Sequence, residues 1–210
     1  MSEKSSKRHI DPALAEARRE QVLTAASDCF RRKGYHGAGM AEISKMAGMS
    51  AGHIYNYFAS KEAIIEAIIE NGMEEMFSTF QQFEDHPEDL VTAMLSGTDN
   101  GVARKLDKDY GAMQLEMLAE AARNQKVACL LQRSDTQARE KMREVLTSER
   151  SLIKDMTDKE LDGRINVIFS LFSGLLLRRA LYPELQKDTI LIALKPALKT
   201  LLLPFEQGCG

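Results

Sequence analysis

Residues 41–62, AEISKMAGMSAGHIYNYFASKE, constrain this chain more than any other stretch. Ile43, Met46 and Ala47 recur at helical spacing and can face a small core. Gly48 supplies a backbone that enters the left-handed region without a Cβ penalty, so a first short helix can stop there. Ser50 offers its hydroxyl to the orphaned amides of a second helix. That helix opens on Ala51 and Gly52, small enough for a phosphate backbone to approach closely. It continues into His53, Tyr55, Asn56 and Tyr57, side chains that can hydrogen-bond base edges or phosphate oxygens. An ordinary core helix would not set Tyr, Asn and Tyr at consecutive positions between a glycine and a lysine. The pattern is that of a helix-turn-helix with its reading helix at 51–57. Phe58, by contrast, fits the core between the first and fourth helices.

The remainder reads as helix throughout, and the expected fold class is all-α. No stretch shows sustained two-residue alternation bounded by hairpin turns. Asp11-Pro12 opens helix one and Gly34 closes it. Ser60 opens a long fourth helix that fades by His86-Pro87. A fifth is expected from Pro87 to Gly97, with a loosely defined connection over Thr98–Lys108. Segments 109–123, 125–150, 158–181 and 188–203 follow. Thr157 and Glu160 form a capping-box pattern, and Pro196 is expected to kink the last helix. The domain reading is an arm and helix-turn-helix over 1–62 and a larger helical domain over 63–210.

Charge supports that division. Residues 1–62 hold ten Lys/Arg and seven Asp/Glu, whereas the remainder holds 18 and 24. A mildly basic front on an acidic body suits a chain that meets a polyanion at one end only. Cys29, Cys129 and Cys209 are widely spaced and lack any CxxC or Cys/His pattern, which points to a reducing cytoplasm and against a zinc site. Cys29 reads as a buried structural thiol on the apolar side of helix one. The run Ile165–Leu177 is shorter than the roughly 20 residues a membrane span requires, so no membrane partner is expected. His9, His36, His53 and His86 have no Cys or carboxylate at ligand spacing, and neither a phosphate loop nor a nucleophile motif occurs. The reading is therefore not an enzyme, with no metal and no cofactor.

Gly34-Tyr35, Ile43, Ala47-Gly48, Ser50, Gly52, Tyr55, Tyr57-Phe58 and Ser60-Lys61-Glu62 together closely resemble the TetR family of bacterial repressors. The resemblance is specific over about 30 residues, Gly34 to Ala63. Beyond them it rests on helix number, length and the carboxyl-terminal pair FSGLLLRRALYP and ILIALKPALKTLLL. It implies a homodimer that binds a double-stranded DNA operator. It also implies a carboxyl-terminal ligand-binding and dimerisation domain whose last two helices form the dimer interface, and a small-molecule inducer that releases the DNA. Tyr55 and Lys61 then look like phosphate contacts, with Gly52 allowing close approach. His53, Asn56 and Tyr57 look like base or mixed contacts, alongside Met40, Ser50 and Ala51 at the helix starts. Many relatives carry hydroxyls before helix two, where this chain has Ala38 and Gly39. The amides at the start of helix two, or the arm around Lys7 and Arg8, could take over that contact. The arm equally reads as a solvated tail.

Met94, Met113, Met117 and Met142, with Phe80 and Tyr110, could line an inducer pocket, since flexible thioethers tolerate varied ligands; methionines at helical spacing are more often simple core. Glu116 and Glu120 would favour a cationic ligand if turned inward, and otherwise form a solvated face. Phe169, Phe172, Leu176, Leu191, Leu194 and Leu198 are the expected dimer interface, with burial inside one subunit as the alternative. A different class of function stays open: a small-molecule-binding or scaffold protein whose helix-turn-helix no longer engages DNA.

Overall fold

The computed structural model describes residues 11–204, so Lys7 and Arg8 of the expected DNA-contacting arm lie outside the described residues. All nine elements among the described residues are helices. The chain divides into two compact units between Ile68 and Ile69, a few residues beyond the expected boundary at 62.

In the first unit, α1 (Pro12–Gly37) begins where Asp11 accepts a hydrogen bond from the Ala13 amide at 3.0 Å, with Pro12 in the first turn. Its regular path breaks at Gly34, whose φ of 73° only glycine adopts freely. Next come α2 (Met40–Met46), α3 (Ala51–Ile54) and the start of α4 (Lys61–Asp85). Val22, Ala26, Cys29 and Phe30 of α1 close on Ile43, Ile54, Phe58, Ile64 and Ile65, all essentially inaccessible to solvent. Each large apolar side chain buried in this way contributes roughly 1.5–3 kcal/mol. Burial pushes the Cys29 thiol up, which suppresses the reactive thiolate and fits a structural thiol. Met46 departs from expectation: it stays partly exposed, with Sδ 3.6 Å from Cys29 Sγ at the edge of the core.

The second unit holds α5 (Leu90–Leu106), α6 (Lys108–Ala121), α7 (Gln125–Thr147), α8 (Asp158–Leu181) and α9 (Lys187–Leu202). The expected break at Gly97 and the loop after it are absent, because α5 runs straight through both. Close packing explains this: a Cβ at Gly97 would sit 2.5 Å from Phe83 Cε1, and one at Gly101 2.9 Å from Phe172 Cε1. These glycines are notches for two phenyl rings rather than helix stops. Asp89, not Pro87, caps α5 by accepting from the Thr92 amide. The Thr157–Glu160 capping box forms as the sequence predicts. Phe80, Val102, Leu146, Leu161, Ile165 and Leu198 anchor a core drawn from α4, α5, α7, α8 and α9.

Three arginines tie the helix ends together. Arg150 donates to the carbonyls of Phe83, Glu84, His86 and Glu88 at the end of α4. Arg179 donates to the Leu106 carbonyl at the end of α5, at 3.1 Å. Arg164 is buried, and its Nη1 donates to the carbonyls of Thr200, Leu201 and Leu203 at the end of α9. The last carbonyls of a helix lack partners within it and carry its negative dipole end, so a guanidinium there satisfies acceptors and charge together. Desolvation lowers the Arg164 pKa, with Glu160 opposing, and arginine remains charged under ordinary conditions. Arg164→Ala, which strands several buried carbonyls, is expected to cost about 3 kcal/mol in chemical denaturation followed by circular dichroism. Arg164→Lys should recover only part of that loss.

Candidate nucleic-acid interface

The turn between α2 and α3 is built from backbone hydrogen bonds around one left-handed residue. Gly48 has φ 64°, its amide donates to the Lys45 carbonyl at 3.2 Å, and the Met49 amide reaches back to Ser44 at 2.9 Å. This pair of bonds is the Schellman arrangement that closes a helix on a glycine. Nothing lies within 4 Å of a Cβ built at Gly48, so the requirement for glycine there is conformational rather than steric. Gln21 of α1 donates from Nε2 to the Ala47 carbonyl at 2.6 Å and fixes the end of α2 from outside. Ser50 Oγ then accepts from the His53 amide at 3.2 Å and starts α3.

Regular helix covers only Ala51–Ile54, shorter than the predicted 51–57. The chain then tightens, with Asn56 N–H bonding to His53 and Tyr57 N–H to Ile54, before Phe58 N–H bonds to Ile54 as well. Ile54 is fully buried and Phe58 nearly so, and these two anchors fix the rotation of the segment. Ala51, Gly52, His53, Tyr55 and Asn56 consequently lie on the exposed side, and Tyr57 is half-buried. Tyr55 keeps 54% of its surface in solvent, so its ring and hydroxyl are accessible to a partner. A Cβ at Gly52 would meet nothing within 4 Å, so the space above it is open to an approaching backbone.

Two features were not legible in the sequence. His53 Nε2 lies 3.2 Å from the Tyr57 hydroxyl, their rings 5.4 Å apart, so two expected contact residues are already joined. Lys61 donates to the Tyr35 carbonyl at 2.6 Å, with its ammonium 4.0 Å above the Tyr35 ring. An ammonium has three donors, so this bond orients Lys61 without exhausting it. Met40 is half-buried at the first position of α2, and Gly39 caps that helix without a side-chain bond, as expected from the missing hydroxyls.

Residues 22–68, which contain this whole assembly, match the family model described as bacterial regulatory proteins, tetR family. The transcriptional regulator UidR of Escherichia coli K12 is 32% identical over 123 residues, 56% of this chain and 58% of that protein. The aligned part thus spans little more than half the length of that relative. The transcriptional activator FasR of Mycolicibacterium smegmatis is 40% identical over 65 residues, 31% of this chain and 30% of its own. Among solved structures, Salmonella enterica GusR superposes on 93% of this chain and 99% of its own, with a TM-score of 0.68 and 25% identity. The amino-terminal region of the chain is thus that of a TetR-family regulator.

In the second unit, the residues expected to line a pocket are placed as follows. Phe80, Met94, Met113, Met117 and Met142 are buried, and Phe80, Met94 and Met142 belong to the main core cluster. Tyr110 is half-buried with Arg104 and Lys105 over its ring. Glu120 is fully buried, contrary to a solvated face, yet it accepts from Arg123 Nε at 2.8 Å and Asn124 Nδ2 at 2.9 Å. Glu116 lies 3.8 Å from the same guanidinium. A buried carboxylate paired in this way fastens the end of α6 to the connection that leads into α7. A cavity of about 230 Å³ opens elsewhere, between Asp135, Thr136, Arg139, Glu140, Arg143 and Asp162.

The expected dimer residues need correction. Leu176, Leu194 and Leu198 are buried within the chain, and Phe169, Phe172 and Leu191 pack against its own core. Each of the two helices has more than one apolar stripe; Leu176, Leu194 and Leu198 face inward, while Phe169, Phe172 and Leu191 are half-buried. The exposed apolar side chains of α8 and α9 are Val167, Leu177, Leu181 and Ile192.

Gly48→Ala should destabilise the first unit by about 1 kcal/mol through left-handed strain alone. Gly48→Asn should cost less, since asparagine tolerates that region; thermal unfolding of both variants checks the ranking.

Proposed function

We propose that the protein is a transcriptional regulator, a repressor in its resting state, that binds a palindromic operator as a homodimer and is released by a small-molecule inducer. One observation carries the DNA-reading part: Ile54 and Phe58 point inward, so that His53, Tyr55 and Asn56 are held outward together. In this reading Tyr55, Lys61 and the arm residues Lys7 and Arg8 hold phosphates, and Ala51 and Gly52 let the duplex approach. His53 and Asn56 meet base edges, Tyr57 makes a mixed contact through its bond to His53, and Ser50 and Met40 frame the two helix starts.

A two-fold dimer presents its reading helices about 34–36 Å apart, matching successive major grooves. The surface that supports dimerisation is the exposed stripe of Val167, Leu177 and Leu181 on α8 with Ile192 on α9. Gly174 lies along it with no atom within 4 Å of a built Cβ, which leaves room for a second helix to close in. An inducer would enter among Met94, Met113, Met117 and Met142, whose unbranched thioethers repack at low cost. Coupling of about 1–3 kcal/mol would lower operator occupancy substantially.

An electrophoretic shift against the DNA upstream of the protein's own gene tests the reading. Persistent absence of binding at low salt would return the chain to the small-molecule-binding or scaffold class. Lys61→Ala is expected to weaken all sequences alike and to flatten the salt slope by about one unit. Asn56→Ala should instead relax preference at one base pair by roughly 1–3 kcal/mol. Ile192→Glu should yield monomers in sedimentation and reduce operator affinity; an unchanged dimer would remove α9 from the interface.

A further inference from the structure

We propose that His53 and Tyr57 form one recognition element, in which Tyr57 is a positioning residue that fixes His53 as a hydrogen-bond donor to a purine edge. The inference rests on the DNA-reading role of this segment and adds which base chemistry it selects. His53 Nε2 and Tyr57 Oη are 3.2 Å apart across one helical turn, with ring planes inclined by 35°. His53 is exposed, while Tyr57 is half-buried beside the anchor Phe58. The less mobile partner therefore holds the more accessible one.

The direction of that bond follows from the groups themselves. A phenolic hydroxyl is an effective donor, and an unprotonated imidazole nitrogen is a stronger acceptor than the phenol oxygen. Tyr57 therefore donates to Nε2, which leaves the ring proton on Nδ1. In this proposal that single N–H donor is the group His53 offers to the groove. Purine N7 accepts such a donor, whereas the N4 amino group of cytosine meets it donor to donor. Each half-site should accordingly prefer a purine over cytosine at the position beneath His53. Without the hydroxyl, the ring can adopt either tautomer and offers a donor or an acceptor with little discrimination.

The test uses the full-length protein and duplexes it enriches from a randomised library. The wild type should show one half-site position favouring purine over cytosine, and Tyr57→Phe should reduce that preference roughly fivefold while other positions keep theirs. His53→Ala should abolish the preference and make Tyr57→Phe silent there, which a merely structural Tyr57 would not produce. Nitrogen-15 NMR of the imidazole should report the Nδ1–H tautomer in the free wild type and a mixture in Tyr57→Phe. An Nε2–H tautomer in the wild type, or a preference unmoved by Tyr57→Phe, would overturn the pairing while leaving DNA reading intact. Failure to enrich any duplex would remove both.

Discussion

Everything at the amino-terminal end depends on the burial of Ile54. A helix of one turn has almost no stability of its own, because nucleation costs as much as its few bonds return. It persists here since Ile54 and Phe58 are buried in the first unit along with Ile43, Val22 and Phe30, and since Ser50 satisfies one of its first amides. With those two side chains inside, the side chains between them have nowhere to go but outward. The exposed Tyr55 and Asn56 are therefore a consequence of core packing, and the surface chemistry follows from it.

The same logic extends to the joints. Gly48 and Gln21 close α2, one by backbone conformation and the other by a side-chain donor reaching from α1. In the second unit Arg150, Arg164 and Arg179 do this for α4, α9 and α5. Free carbonyls at helix ends must find donors once they leave water, and a guanidinium can serve several at once. Gln21 and the three arginines come from residues far away in sequence, which is why only the Gly48 closure could be read locally.

The methionines of the second unit and the joined His53–Tyr57 pair illustrate opposite uses of side-chain freedom. Met94, Met113, Met117 and Met142 occupy the interior with many available rotamers, a packing that can rearrange around a guest. His53 is instead tied to its neighbour Tyr57 by a hydrogen bond across one helical turn. Adaptability suits sensing, and preorganisation suits reading.

By itself the sequence determined the all-helical class, the turn at Gly48, the caps at Asp11, Ser50 and Thr157, and the outward placement of Ala51, Gly52, His53, Tyr55 and Asn56, because each depends on neighbours within one or two turns. Tertiary structure alone decided the rest. Gly97 and Gly101 looked like helix breakers but accept the rings of Phe83 and Phe172, a fact that lives in the separation of helices. Leu194 and Leu198 looked like interface but lie in the chain's own core, because periodicity reveals an apolar stripe without saying what covers it. Glu120 looked solvated or ligand-facing but is fully buried, and although its partners Arg123 and Asn124 are local, its burial is set by the helices packed around it. Local geometry is written in spacing; which face meets which is settled only when distant segments compete for the same contacts.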